Sequence, residues 1–394
     1  MRIAIVTETY PPEVNGVALT VAGLVHGLAG AGHQVQLIRP RQIETTTKII
    51  ASVESNLGNS KSGECDIDEV LVRGAGLPRY PGLRFGLPAA RKLKMLWREQ
   101  RPDAIYVATE GPLGYSALRA ASALDIPAST GFHTRFDDFA RHYGLGFLTP
   151  LVFGYLRRFH QRGLATLVPT TELAQFLTKN GFSNVQLLRR AVDTQLFSPL
   201  RRDETLRTQW RLTPQDLAVL YVGRIAPEKN LAVCVAVFRE IQKQQPNARY
   251  IWIGDGPART QLAAENPDFI FTGIQRGETL ARHYASCDLF LFPSITETFG
   301  NVTLEAMASG LPTVAFDYGA AREHLLDHCG RRVPFADVAA FITASVQLAA
   351  AHDVRRDMRH AARAAVAELN PHAVTASFSD LLANLANRRA ASAR

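Results

Sequence analysis

Four charged side chains occur in a pattern that could hold a phosphate-activated carbohydrate. Arg224 and Lys229 follow one apolar run and precede an apolar-periodic helix, and Glu297 and Glu305 form an E-x7-E pair ahead of Gly310-Leu311-Pro312. A guanidinium grips phosphate oxygens as a rigid fork and an ammonium adds a mobile point charge, so the pair can offset leaving-group charge without a tightly bound metal. A carboxylate can accept two vicinal hydroxyl donors, which suits Glu305 for a nucleotide ribose and Glu297 for a transferred sugar. Backbone N–H groups around Phe299, Gly300 and Asn301 would meet the diphosphate. Singly, each cation also reads as a solvated surface charge and each glutamate as an exposed or capping residue. The combination points to nucleotide-sugar chemistry with no tightly bound cofactor and no essential metal.

Two further stretches could serve the same ligand. Glu8 to Gly16 follows the first apolar run and opens a helix, where Gly16 lets backbone approach an anion and the free N–H groups of the helix start favour phosphate. The dinucleotide fingerprint G-x-G-x-x-G is absent there. His133, between Phe132 and Thr134, can donate or accept a hydrogen bond near neutral pH in a pocket shaped by those neighbours.

The elements that must position these residues alternate. Apolar runs at 2–7, 34–38, 104–107 and 165–168 are separated by helical patterns at 17–30, 88–99 and 113–124, which predicts a mainly parallel, doubly wound sheet. The pattern restarts with strands at 217–222, 249–253, 289–292 and 313–316 and helices at 231–242 and 280–285. Several strands end beside the charged residues, at the carboxyl edge where open α/β sheets bind ligands. Asn301 is expected to cap the helix that carries Glu305. Gly254 to Pro257 reads as a turn beside the nucleotide, and 42–69 as an irregular insertion. The expected organisation is an amino-terminal domain over 1–190, a linker over 191–202, a second domain over 203–370, and a final helix over 371–394 that crosses back to the first.

The chain has 394 residues, 46% hydrophobic and 20% charged, ordinary for a globular protein and too long for one core. Its net charge of +8 is concentrated in residues 1–199, which hold 22 Lys/Arg against 16 Asp/Glu. Without an arginine-rich arm or zinc-finger spacing, that excess does not indicate a nucleic-acid partner. Basic faces at Arg91-Lys92-Lys94-Arg98 and along 151–163, with Arg157, Arg158 and Arg162, fit either a solvated helix face or contact with an anionic membrane or lipid acceptor. The four cysteines form no C-x-x-C motif, and the opening run Ile3 to Val6 is shorter than a signal peptide's apolar segment. The expectation is a reduced cytoplasmic protein, either free or peripheral on the inner face of the cytoplasmic membrane. Its oligomeric state is not readable.

On the E-x7-E pair, the Arg224/Lys229 segment, Gly16 and Gly131-Phe132-His133-Thr134, the chain resembles the retaining GT-B glycosyltransferases of family 4 over nearly its whole length. The opening and the Phe132 to Tyr143 region are most similar to bacterial GDP-mannose-dependent α-mannosyltransferases, with some likeness to enzymes that glycosylate diacylglycerol lipids. The resemblance implies an α/β GT-B fold, two Rossmann-like doubly wound domains facing an interdomain cleft, with nucleotide held mainly by the second and acceptor by the first. It assigns Arg224 and Lys229 to the diphosphate, Glu305 to the ribose, Glu297 and His133 to the donor sugar, and base contacts to Gly273 through Arg276. The implied donor is GDP-mannose, with UDP-glucose, UDP-galactose and a UDP-sulfosugar as alternatives, and the implied acceptor is a sugar or glycolipid hydroxyl. Ala191 departs from the family, which commonly has glycine there. A phosphorylase or epimerase of the same fold, or a noncatalytic nucleotide-sugar sensor, would use similar motifs.

Overall fold

The computed structural model describes residues 1–13, 15–41, 67–77, 80–133, 149–297 and 299–392. The chain divides into two compact units, Met1–Ala191 with Pro371–Arg394, and Val192–Asn370.

In the first unit the strands are β1 (Arg2–Val6), β2 (Gln34–Pro40), β3 (Ile67–Val72), β6 (Ala104–Val107), β7 (Ala128–Gly131), β8 (Ala165–Val168) and β9 (Val185–Leu187), with a separate hairpin of β4 (Gly74–Leu77) and β5 (Tyr80–Gly86). The seven strands pair in parallel in the order β3-β2-β1-β6-β7-β8-β9. Ile3, Ala4, Ile5 and Val6 are all fully buried, as expected of a parallel strand covered on both faces, which reads as an unbroken apolar run. Ile3, Ile5 and Tyr106 face one core with Val21, Val25 and the final helix's Phe378 and Leu382. Ala4, Val6, Ile105 and Val107 face the other with Leu93, Trp97 and Leu113. The helix Pro371–Ser392 therefore belongs to this unit's core, and the Phe378 ring meets Tyr106 edge-on at 5.0 Å.

The segment 42–69 was expected to be irregular throughout, but Ile67, Asp68 and Glu69 pair with Val35, Gln36 and Leu37 as the start of β3. Residues 42–66 lie outside the described residues, as do Thr134 and the rest of the stretch to Tyr143.

The second unit contains β10 (Ala218–Val222), β11 (Arg249–Ile253), β12 (Ile270–Gly273), β13 (Leu289–Phe292), β14 (Thr313–Phe316) and β15 (Gly330–Val333). They pair in parallel in the order β12-β11-β10-β13-β14-β15. Leu217, Val219 and Tyr221 pack on one side and Ala218, Leu220 and Val222 on the other, so each face of the sheet carries its own core. The order reverses between β10 and β13. Connections leave such a pair in opposite directions, and their loops open a crevice at the carboxyl ends of the strands.

Candidate functional site

Both loops at that reversal carry the charged residues. β10 runs into Gly223 and a short 3-10 turn, Pro227–Lys229, and β13 runs into the loop that holds Glu297. Lys229 Nζ lies 2.5 Å from Glu297 Oε1, and Ser294 donates to the same oxygen at 3.0 Å. Thr296 donates to the Glu228 carbonyl at 3.1 Å, which ties the two loops together. Arg224 is turned aside to Glu228 at 3.1 Å, and its side chain is more than half exposed. Lys229 and Glu297 are thus brought together, and Arg224 stands at the rim.

The next loop closes against this one through backbone. Ile225 donates to the Asp255 carbonyl at 3.0 Å, and a Cβ on Gly254 would stand 1.9 Å from the Gly223 carbonyl oxygen. With φ at +133°, only glycine fits there. Gly254 also donates to Gly273 at 2.9 Å, so the ends of β10, β11 and β12 form one stitched edge. Gly273 itself has φ +73°, and Arg276 stands exposed just before the helix Gly277–Ser286.

Glu305 lies inside the helix Asn301–Ala308. Its Oε2 accepts from the Tyr284 hydroxyl at 2.9 Å. Loss of hydration pushes its carboxyl up to about 7, with the Tyr284 bond acting in the opposite direction. Near neutrality it can therefore exist as acid or as carboxylate. The expectation that Asn301 caps this helix is not met: the cap position is Gly300, in the left-handed region at φ +91°, and Asn301 is the first helical residue. Among the described residues no side chain caps this end. Phe299 is buried, and its carbonyl accepts from Ala320 at 2.7 Å.

Two family descriptions cover most of the chain: "Glycosyltransferase Family 4" over residues 14–196 and "Glycosyl transferases group 1" over residues 216–351. The GDP-mannose-dependent alpha-mannosyltransferase of Mycolicibacterium smegmatis is 33% identical over 334 residues, covering 82% of this chain and 81% of the relative. The chain belongs to glycosyltransferase family 4. This glycosyltransferase is also 26% identical over 332 residues to the alpha-monoglucosyldiacylglycerol synthase of Streptococcus pneumoniae, covering 80% and 71% of the two chains. In fold it matches the solved structure of Anabaena HepE in complex with UDP, with a TM-score of 0.76 at 16% identity over 98% of this chain and all of that one. The protein is a GT-B hexosyltransferase with a nucleotide sugar as donor.

The first unit of the glycosyltransferase holds Gly16 and His133. Gly16 is the exposed first residue of the helix Gly16–Gly30, whose start is capped by Asn15, with Ala18 N–H donating to Oδ1 at 2.8 Å. His133 follows β7 and is 7% exposed. Its Nε2 lies 2.8 Å from the Tyr106 hydroxyl and its Nδ1 2.8 Å from Arg190 Nη2. Burial first, then the neighbouring Arg190 and His160, hold its pKa well below the usual histidine value, so the ring is neutral.

Sequence reasoning missed Tyr284, Ser294, Tyr106 and Arg190. Tyr284 and Tyr106 sit in apolar patterns where tyrosine reads as core, and each meets a candidate residue of its own unit, Glu305 and His133, through its hydroxyl. Among the described residues no group of His, Cys, Asp and Glu could hold a metal ion, and no helix is long and apolar enough to cross a membrane.

Proposed function

We propose that this glycosyltransferase moves mannose from GDP-mannose, with retention at the anomeric carbon, onto a hydroxyl of a sugar or glycolipid. The observation that carries the reading is the meeting of Lys229 with Glu297 at the strand-order reversal of the second unit, with Glu305 in the helix that follows. In the free protein Glu297 holds the ammonium of Lys229. An arriving diphosphate offers stronger, multidentate charge, so Lys229 and the exposed Arg224 turn to it, joined by the N–H groups around Phe299, Gly300 and Asn301. Glu297, released from Lys229, accepts from hydroxyls of the mannose, Glu305 accepts from the ribose, and Gly273 through Arg276 border the base. The acceptor oxygen attacks the anomeric carbon on the face from which the diphosphate departs, and the acceptor proton passes to the departing phosphate. The cations offset the charge that accumulates there.

Mannose and guanine are favoured because the mannosyltransferase relative is 33% identical and the glucosyl-lipid synthase 26%. The latter supports the second reading, a UDP-hexose-dependent glycolipid synthase acting at the cytoplasmic face of a membrane. Exposed Arg157 and Arg158 beside exposed Leu151 and Tyr155, and Arg91 and Arg98 beside exposed Met95, suit an anionic surface. Turnover of purified enzyme with GDP- and UDP-hexoses, followed by nucleotide release and product anomericity, decides between the donors. Absence of both binding and turnover with every nucleotide sugar would defeat the proposal.

A further inference from the structure

His133 is gripped at both ring nitrogens by residues of its own unit. Arg190 Nη2 and Tyr106 Oη each stand 2.8 Å away. A guanidinium has donors and no acceptor, so Nδ1 must present its lone pair to Arg190. The single proton of the neutral ring then sits on Nε2 and is donated to the Tyr106 oxygen. The geometry is tightly set. A Cβ on Gly131 would stand 2.2 Å from the Tyr106 hydroxyl and 2.5 Å from His133 Nε2, so the contact exists only because residue 131 is glycine.

Arg190 is unusual among the buried cations of this chain. It is 6% exposed, and among the described residues its Nε and Nη1 have no hydrogen-bond partner and no carboxylate pairs with it. Arg207, buried in the second unit, shows the architectural alternative: its Nη1 meets Asp288 at 2.8 Å and its Nη2 meets the carbonyls of Thr213 and Asp216 at 3.0 and 2.7 Å. An uncompensated buried guanidinium is costly, and an apolar side chain would fill that volume without the cost.

We infer that Arg190 is a positioning residue for sugar transfer, which holds His133 as an uncharged ring with its proton fixed on Nε2. The inference rests on the reading that His133 lies beside the donor sugar. There, positive charge develops on the sugar ring as the diphosphate leaves, and an imidazolium would oppose it. Burial disfavours that imidazolium, and a fixed cation at Nδ1 opposes it further while it sets the tautomer. Other groups around the ring act in the same sense or leave it unaffected. His160, from the helix Thr149–His160, adds repulsion if protonated, while its own nitrogens face Thr130 at 2.7 Å and Glu110 at 3.5 Å. Tyr106, from β6, stays protonated because burial raises its hydroxyl. The final helix contributes the apolar Phe378, which packs on Tyr106.

The test is imidazole 15N NMR on the intact protein between pH 5.5 and 8. His133 should show unprotonated Nδ1 and protonated Nε2 throughout; a proton on Nδ1, or a titration midpoint inside that range, overturns the inference. In Arg190→Met the fixed tautomer should be lost, with part of the ring protonated on Nδ1, and the midpoint should rise above that of the wild type while burial still holds it below the ordinary value of ~6.5, so that kcat at saturating donor falls roughly twofold or more between pH 7.5 and 5.5 relative to wild type, with KM changing less. Arg190→Lys, which keeps the cation, should restore the flat ratio, and an unchanged ratio in a folded Arg190→Met also overturns the inference. If Arg190→Met does not fold, the wild-type spectrum and the lysine variant decide. If the spectra are as expected but His133→Ala transfers sugar at the wild-type rate, the placement of His133 at the donor fails and the Arg190 assignment to the ring stands.

Discussion

At the scale of single residues, Glu305 links protonation to ligand binding. Its carboxyl is raised from 4.5 to about 7 in the free protein, so its contribution to stability is complete below about 4.5 and is lost as pH rises through about 7. Ribose hydroxyls donate, and they favour the ionised form. GDP binding should therefore strengthen by up to about tenfold per pH unit from pH 5.5 towards 7 and level off above, with a proton released in the same window. Calorimetry in buffers of different ionisation enthalpy measures both. Glu305→Gln should bind more weakly and lose the pH dependence. Tyr284→Phe removes the bond that opposes the raised pKa and should move the midpoint upward; an unmoved midpoint would show that the hydroxyl does not set the carboxyl's charge. Lys229 invites a separate test. Losing a charge-assisted contact worth about 1.5–3 kcal/mol should weaken GDP binding roughly ten- to a hundredfold in Lys229→Met, while the mannose contribution through Glu297 stays in place.

At the scale of elements, the site depends on loops held by backbone rather than by side chains. Gly254→Ala would drive a methyl group onto the Gly223 carbonyl in a backbone region closed to alanine, and should cost about 2–4 kcal/mol of stability in thermal or denaturant unfolding. Because β10, β11 and β12 end on that edge, nucleotide affinity should fall with it. The same elements explain what was legible beforehand. β6, β8, β11, β13 and β14 are apolar runs buried on both faces, and periodicity marks them to the residue. β7 is Ala-Ser-Thr-Gly, with no apolar signal, and becomes a strand because Ile105 and Ala165 flank it in the sheet. β3 opens Ile-Asp-Glu, two adjacent acids that break any alternation, and is fixed by pairing to β2. Lys229 and Glu297, which the structure brings together, were legible as charged residues on loops that follow strands. Tyr284, Tyr106 and Arg190 were not, since each reaches its partner from an element distant in sequence. Asn301 was assigned a cap by residue type, but Gly300 supplies the left-handed turn that starts the helix, and Asn301 falls one position inside.

At the scale of the whole molecule, one unit is continuous in sequence and the other is completed only by the last helix. Val374, Phe378, Leu382 and Leu385 are all buried, and they share a core with Ile3, Ile5, Val21 and Val25. Removing a buried phenylalanine side chain typically costs about 3–5 kcal/mol, comparable with the whole stability of a domain once neighbouring leucines go with it. A chain ending at Asn370 should therefore leave the first unit exposed to water along β1, β2 and the helix Gly16–Gly30, while the second unit keeps both cores. Hydrogen exchange read by mass spectrometry should show protection lost in those segments and retained in β10, β11 and β13. Because Lys229, Glu297 and Glu305 all lie in the continuous unit, the truncated protein should still bind GDP within a fewfold of the intact chain, yet transfer no sugar, since His133 depends on the lost core through Tyr106 and Phe378. Equal protection in both proteins would show that the first unit is self-sufficient without its returning helix. Loss of GDP binding on truncation would instead show that the nucleotide site draws on both units.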